Sequence, residues 1–273
     1  MSGSRRAAAA LVVVVAAVLA GWSWMRLGDR RSTDAAPATA AAGAVPMGVG
    51  LAVIHPGADE PLIVAVNLFN HRARQAAATN AALDAAKLEG PRPSADAITF
   101  DLDPGAWASV VQFSGGNSMR PVDVSAVRVV RRPDHASQVL AGDTIRVLFE
   151  IAPEGVAVLG GRVMATVRIG TWTAESSVAA LSPPSSPRDR LVLRAKAAQA
   201  LGDMERMLSA GDALVAADAS SPWGHWYRGL AFESRGDRAG ALAAYEAAAA
   251  RLPDVSRLPE PPVDLFRRIA ALR

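Results

Sequence analysis

The sequence contains no cysteine, only two lysines (Lys87 and Lys196) and only four histidines among its 273 residues. Without cysteine there are no disulfide bonds, zinc fingers, iron–sulfur clusters or thiol catalysis. The Gly-x-Ser-x-Gly, Ser-x-x-Lys and His-Glu-x-x-His motifs of common hydrolases are also missing. The histidines lie far apart, without the spacing of metal ligands: His55, His71, His135 and His225. We therefore expect a protein without metal or cofactor that is not an enzyme.

The composition is that of a folded protein without an excess of positive charge in its folded part. Hydrophobic residues make up 51% of the chain and charged residues 20%, which argues against extensive disorder. The net charge of +3 lies in the first 47 residues, which hold five arginines and two aspartates. The rest of the chain is balanced, so the sequence offers no basic stripe for phosphate backbones, and we expect no nucleic-acid partner.

The first 25 residues have the pattern of an export segment. Two arginines precede an unbroken apolar run, Ala7–Ala20, which is followed by Trp22 and Trp24. The run fits a cleaved signal peptide, but the tryptophans would suit the interface of an uncleaved single-span membrane anchor, and both interpretations stay open. Residues 26–46 are rich in alanine and proline, typical of a linker. We expect an exported bacterial envelope protein, periplasmic or extracellular, that is tethered to the inner membrane if the segment is uncleaved.

Residues 47–183 have the alternating pattern of β-strands. Thr144–Ile151 and Arg162–Ile169 place apolar residues on one face and arginines on the other, as expected of half-buried strands. Turn-forming residues separate these two from six further candidate strands, at Val49–Ile54, Leu62–Phe69, Ile98–Leu102, Ala108–Phe113, Ala126–Arg131 and Thr173–Ala180. About eight short strands predict an antiparallel β-sandwich.

Two segments refine this prediction. Gly155–Val163 resembles the corner before a late strand of immunoglobulin-like domains, and the resemblance implies an immunoglobulin-like sandwich at the level of the fold. Arg72–Leu88 has high helix propensity and is followed by Gly90-Pro91. We expect a helical insertion at about 72–88 that packs on the domain, in preference to a lid over a ligand site.

The segment Pro222–Pro253 carries small and aromatic residues at fixed spacings around a Gly-Asp turn, Gly236-Asp237. The same dipeptide occurs 34 residues earlier, as Gly202-Asp203. This period closely resembles the tetratricopeptide repeat (TPR), a helical hairpin of 34 residues. In the later copy the resemblance is carried by Gly229, Phe232, Ala241, Tyr245, Ala248 and Pro253.

The resemblance covers about residues 188–272 and implies two TPR-like repeats with a terminal capping helix. In the earlier copy, Met207 and Gly211 replace Ala241 and Tyr245, so its second helix is expected to pack less regularly. Two repeats are fewer than the three that a free-standing array usually needs. The β-sandwich or a second copy of the protein is therefore expected to cover the open end. The predicted fold class is multidomain, β plus α.

The resemblance also implies a function, because the first helix of each TPR hairpin lines a groove that commonly receives a peptide or another protein. The expected groove residues are Val192, Lys196, Gln199, Trp226, Leu230 and Glu233. We thus predict a non-catalytic scaffold or adaptor that binds a protein or peptide partner in the envelope. Two alternatives remain: Trp223 and Trp226 pack inside the protein, or the β-sandwich binds glycan or cell-wall material and the repeats support it. An exposed Trp226 and Leu230 favour the adaptor, whereas a groove of exposed aromatic residues on the sandwich favours the ligand-binding protein.

Overall fold

A computed structural model describes residues 47–89, 91–141, 143–252 and 264–273. The predicted leader (1–25) and linker (26–46) and the repeat residue Pro253 lie outside the described residues. None of the described helices has both the length and the apolar character needed to cross a membrane.

The chain has a mixed β plus α fold that divides into two units. One unit holds the residues up to Val53 together with Val64–Leu181, and the other holds Ile54–Ile63 together with Ser182–Arg273. Eleven strands are described: β1 (Met47–Ile54), β2 (Leu62–Asn70), β3 (Ile98–Asp101), β4 (Val111–Gly115), β5 (Arg120–Pro121), β6 (Val127–Arg131), β7 (Ser137–Leu140), β8 (Thr144–Ile151), β9 (Arg162–Ile169), β10 (Trp172–Glu175) and β11 (Ala179–Ala180).

The strands form three sheets. The first has the order β1-β2-β8-β6, and the second has the order β10-β9-β4-β5, with β11 also paired to β9. The third is the pair β3-β7. The pairings whose register is described are antiparallel. Phe113 of the second sheet contacts Phe149 of the first edge-to-face, with ring centroids 5.1 Å apart, and both side chains are buried.

Several predicted strands are confirmed and two need correction. The strands at Thr144–Ile151 and Arg162–Ile169 have the predicted bounds. The prediction for Ala108–Phe113 is wrong in its first half, because Trp107–Val110 is helical and β4 begins only at Val111. The single strand predicted at Thr173–Ala180 is interrupted between β10 and β11. Two strands, β5 and β7, were not predicted.

Local hydrogen bonds explain both corrections. The Asp103 side chain accepts a hydrogen bond from the Gly105 backbone and starts a 3-10 turn, which continues into the helix of the buried Trp107. Between β10 and β11, the Ser176 hydroxyl accepts a hydrogen bond from the Ala165 backbone N–H. A side chain thus replaces a backbone partner where the ladder is interrupted.

Three α-helices lie in the β-rich unit: α1 (His71–Ala85), α2 (Trp107–Val110) and α3 (Pro153–Leu159). Helix α1 lies in the region predicted to be a helical insertion. It follows β2 directly, because the buried Asn70 caps it by accepting a hydrogen bond from the Ala73 backbone. Helix α3 lies within the segment that resembles an immunoglobulin-like corner and leads into β9.

Five helices follow in the second unit: α4 (Pro187–Leu201), α5 (Met204–Ala217), α6 (Pro222–Ser234), α7 (Arg238–Ala249) and α8 (Leu265–Leu272). Each packs against the next one described along the chain. Their shared core is apolar and aromatic, and Tyr227 and Tyr245 are its largest side chains. Small residues such as Ala195 and Ala231 are fully buried in it, which lets neighbouring helices approach closely.

Candidate functional site

The two Gly-Asp turns of the helical unit have the same geometry. Gly202 and Gly236 both have positive φ angles, 71° and 77°, a conformation that glycine adopts without steric cost. Asp203 and Asp237 then cap the next helix, each accepting a hydrogen bond from the backbone N–H three residues later. The turn-closing backbone bonds also correspond: Asp203 donates to Ala198 and Asp237 donates to Phe232. The sequence period of 34 residues is therefore matched by a repeated local structure.

Glycine is needed where α6 meets α7. A Cβ atom at Gly229 would lie 2.3 Å from Cε1 of Tyr245 and 2.4 Å from its Cδ1. Tyr245 is fully buried, as are Ala241 and Ala248 on the same helix. Phe232 is half-buried against the same core. The small and aromatic residues of the later hairpin thus form one tightly packed contact.

The earlier hairpin has a different close contact. Gly211, which stands where the later copy has Tyr245, faces Gly224 across α5 and α6. A Cβ atom on Gly211 would lie 3.1 Å from the Gly224 carbonyl oxygen, and one on Gly224 would lie 2.9 Å from that of Gly211. Met207 is buried beside this crossing. The departure from the repeat pattern therefore corresponds to a crossing in which two helix backbones meet directly.

The six predicted groove residues lie on α4 and α6. On α4, Val192 and Lys196 are half-buried and Gln199 is exposed. On α6, Trp226 and Glu233 are half-buried, whereas Leu230 is buried, with 7% of its surface exposed. Leu230 therefore belongs to the core of the helical unit. The exposed Trp226 and Leu230 that would favour an open groove are not found together.

Trp226 and Glu233 belong to a cluster that joins three helices. The Tyr245 hydroxyl of α7 donates a hydrogen bond to Glu233 Oε2 at 2.5 Å, and Arg268 Nη1 of α8 donates to the same oxygen at 2.5 Å. The Trp226 ring lies beside the Tyr245 ring, with centroids 5.3 Å apart, and the Arg268 guanidinium lies 5.8 Å from the Trp226 centroid. We call Trp226, Glu233, Tyr245 and Arg268 the Glu233 cluster.

Burial and hydrogen bonding set the charges of this cluster. Burial raises the pKa of the Tyr245 hydroxyl, and its hydrogen bond to Glu233 raises it further. For Arg268, burial acts against the charged form, yet the acidic groups of Tyr245 and Glu233 raise its pKa. Tyr245 is therefore a neutral donor and Arg268 a cation at ordinary pH. Such an arrangement recognises a planar cation through charge, hydrogen bonds and an aromatic face.

Arg268 is the member that sequence reasoning missed. It lies on the helix that was predicted to cap the array, and nothing in its spacing distinguishes it from its neighbour Arg267. Two more arginines hold the same helix: Arg238 donates to the backbone carbonyls at its end, and Arg273 pairs with Glu246 at 2.7 Å. Arginine pairing across helices has no sequence period, so only the structure reveals it.

The first helix of the unit is contacted by a loop. Residues 54–63, which join β1 to β2, belong to the helical unit. Glu60 of this loop accepts two hydrogen bonds from Arg194 Nε of α4, both at 2.9 Å. This hydrogen bond raises the pKa of Arg194. The loop therefore contacts one face of α4.

The remaining tryptophan and the β-rich unit bear on the two alternatives. Trp223 lies beside Tyr227, with ring centroids 6.5 Å apart, so both tryptophans of α6 contact tyrosines of the helical unit. In the described part of the β-rich unit, Phe100, Trp107, Phe113 and Phe149 are buried, and Phe69 and Trp172 are half-buried. A groove of exposed aromatic residues is therefore not found among them. Within the described ranges no three His, Asp or Glu side chains are grouped as metal ligands.

Comparison of the chain with protein-family models, with curated proteins and with solved structures gives no match.

Proposed function

We propose that this protein is a non-catalytic scaffold or adaptor of the cell envelope that binds a protein or peptide partner through its TPR-like helical unit. The binding surface combines residues of the first helices of the two hairpins. Val192, Lys196 and Gln199 contribute from α4, and Trp226 and Glu233 contribute from α6. Leu230, buried in the core, supports this surface from below.

The observation that carries the proposal is the repeated Gly-Asp turn. Its positive-φ glycine, its aspartate cap and its backbone bonds recur with the 34-residue period, which supports assignment of α4–α5 and α6–α7 as two TPR-like hairpins. Half-buried Trp226 supports a binding role for α6, because tryptophan is enriched at interface hot spots. The proposal includes export by the N-terminal segment and an immunoglobulin-like sandwich for the β-rich unit.

Site-specific photo-crosslinking in cells tests the proposed surface. A photoreactive amino acid replaces Gln199, which is exposed on α4, and in a matched control it replaces Ser209, which is exposed on α5. We expect a discrete crosslinked protein with Gln199 that is absent with Ser209. Lys196→Glu, which reverses a charge next to the probe, should weaken the crosslink. Equal crosslinking at both positions, or none at either, contradicts the proposal.

A further inference from the structure

One part of the proposed surface is occupied by the protein's own chain. Glu233 and Trp226, both expected groove residues, are contacted by Arg268 of α8. The side chains of Arg268 and Glu233 are still 31% and 34% exposed. Their contact thus lies where solvent, or a partner, can reach it.

The fit of Arg268 in this position is incomplete. Its Nε atom is buried and has no hydrogen-bond partner in the described part of the chain, and an unsatisfied buried donor is unfavourable. Helix α8 has only eight residues, of which Leu265 and Ile269 are buried. Its Phe266 is 58% exposed. The helix is therefore held by a small apolar contact and by arginine pairs.

The surroundings of Arg268 select for a guanidinium group. Glu233 supplies a carboxylate, and Trp226 supplies an aromatic face. The neutral Tyr245 hydroxyl, by donating to the same carboxylate, fixes the orientation of Glu233. A planar guanidinium both stacks on an aromatic ring and donates several hydrogen bonds, whereas an ammonium group is compact and strongly hydrated.

We propose that Trp226, Glu233 and Tyr245 form a binding site for an arginine side chain of the partner, and that Arg268 is an intramolecular competitor for this site. This inference rests on the proposed function, because it names the chemistry that the partner brings to the same surface. The partner segment carries an arginine, and its binding displaces Arg268. The apparent affinity for the partner is then lowered by the fraction of molecules in which Arg268 fills the site.

The first experiment empties the site and offers it a fragment of arginine. Full-length Arg268→Ala is titrated with ethylguanidinium while the indole N–H signal of Trp226, assigned with a Trp226→Phe variant, is followed by NMR. We expect a saturable shift with ethylguanidinium and binding about tenfold weaker or more with ethylammonium. Wild-type protein and Arg267→Ala, which removes the neighbouring exposed arginine, should show no saturable shift.

Specific outcomes overturn the site. They are equal binding of the two cations, no shift with either, or a shift that persists when Glu233→Gln is added to Arg268→Ala. Folding of each variant is checked by circular dichroism. If Arg268→Ala does not fold, Arg268→Lys takes its place, and ethylguanidinium is then expected to compete with the lysine and shift the same indole signal. The absence of that shift overturns the site.

The second experiment tests competition and separates this inference from the proposed function. Arg268→Ala is combined with the photoreactive residue at position 199. We expect a higher crosslink yield than in wild type, the opposite of the loss expected from mere destabilisation. If the crosslink forms but does not increase, the inference is overturned and the proposed function stands. If ethylguanidinium binds but no variant crosslinks, the proposed function fails and the guanidinium site remains.

Discussion

Replacing Gly229 by alanine sets two well-known effects against each other. In the interior of α6, alanine is a better helix former than glycine by ~1 kcal/mol. The added methyl group, however, would lie 2.3 and 2.4 Å from two carbons of the buried Tyr245 ring, whereas favourable carbon contacts are ~3.5–4.0 Å long. Overpacking of this kind costs ~1–3 kcal/mol. Because Tyr245 is also held by Glu233, we expect the clash to dominate, with a net loss of ~1–2 kcal/mol.

Urea unfolding followed by far-ultraviolet circular dichroism measures this loss. With m-values of ~1–3 kcal/mol/M for small proteins, the midpoint of the helical transition should fall by roughly 0.5–1 M. The control is the same substitution in a Tyr245→Leu background, in which the ring is gone and Gly229→Ala should be neutral or slightly stabilising. A Gly229→Ala protein that is more stable than wild type would refute the reasoning. So would an equal loss in both backgrounds, because the clash would then not involve Tyr245.

Three further predictions concern pH and the β-rich unit. Burial raises the pKa of Tyr245 above 10.0, so its contribution to the free energy of unfolding is complete below pH 10.0 and is lost as the pH rises through the folded pKa; alkaline urea titrations should show a smaller loss for Tyr245→Phe. Burial lowers the pKa of His225 below 6.5, so stability present above pH 6.5 is lost on acidification, and His225→Gln should reduce this loss in unfolding curves from pH ~8 to ~5. Gly115→Ala would place a Cβ atom 2.2 Å from the Arg162 carbonyl oxygen, and because backbone cannot rotate aside, we expect a loss of ~3 kcal/mol or more in thermal unfolding, whereas an unchanged midpoint would contradict that contact.

The strands that could be predicted are those in which burial follows a simple alternation. In β9, Val163, Ala165 and Val167 are fully buried while Arg162 and Arg168 are exposed, so the period of two is visible in the sequence. Short strands offer no such window. The two residues of β5 are both exposed and include Pro121, and only their pairing with β4 defines them as a strand.

The helical turns were visible in the sequence for a different reason. Glycine at a positive φ and aspartate as a cap are each required by the backbone, so a Gly-Asp pair is a local signal that a 34-residue period repeats. The Glu233 cluster has no local signal of this kind. Arg268 reaches Glu233 across 35 positions of the sequence, and its choice over Arg267 depends on the rotation of α8. Leu230 was misjudged as a groove residue because one helical turn separates a surface position from a core position.

The crossing of α5 and α6 at Gly211 and Gly224 has a mechanical consequence. Where side chains separate two helices, changes of rotamer allow the helices to slide or rotate by small amounts. At this crossing backbone meets backbone, and no rotamer is available to change the spacing. The two hairpins are therefore joined by a stiff seam, and adjustments of shape within the helical unit fall to contacts made by long side chains, above all those of α8.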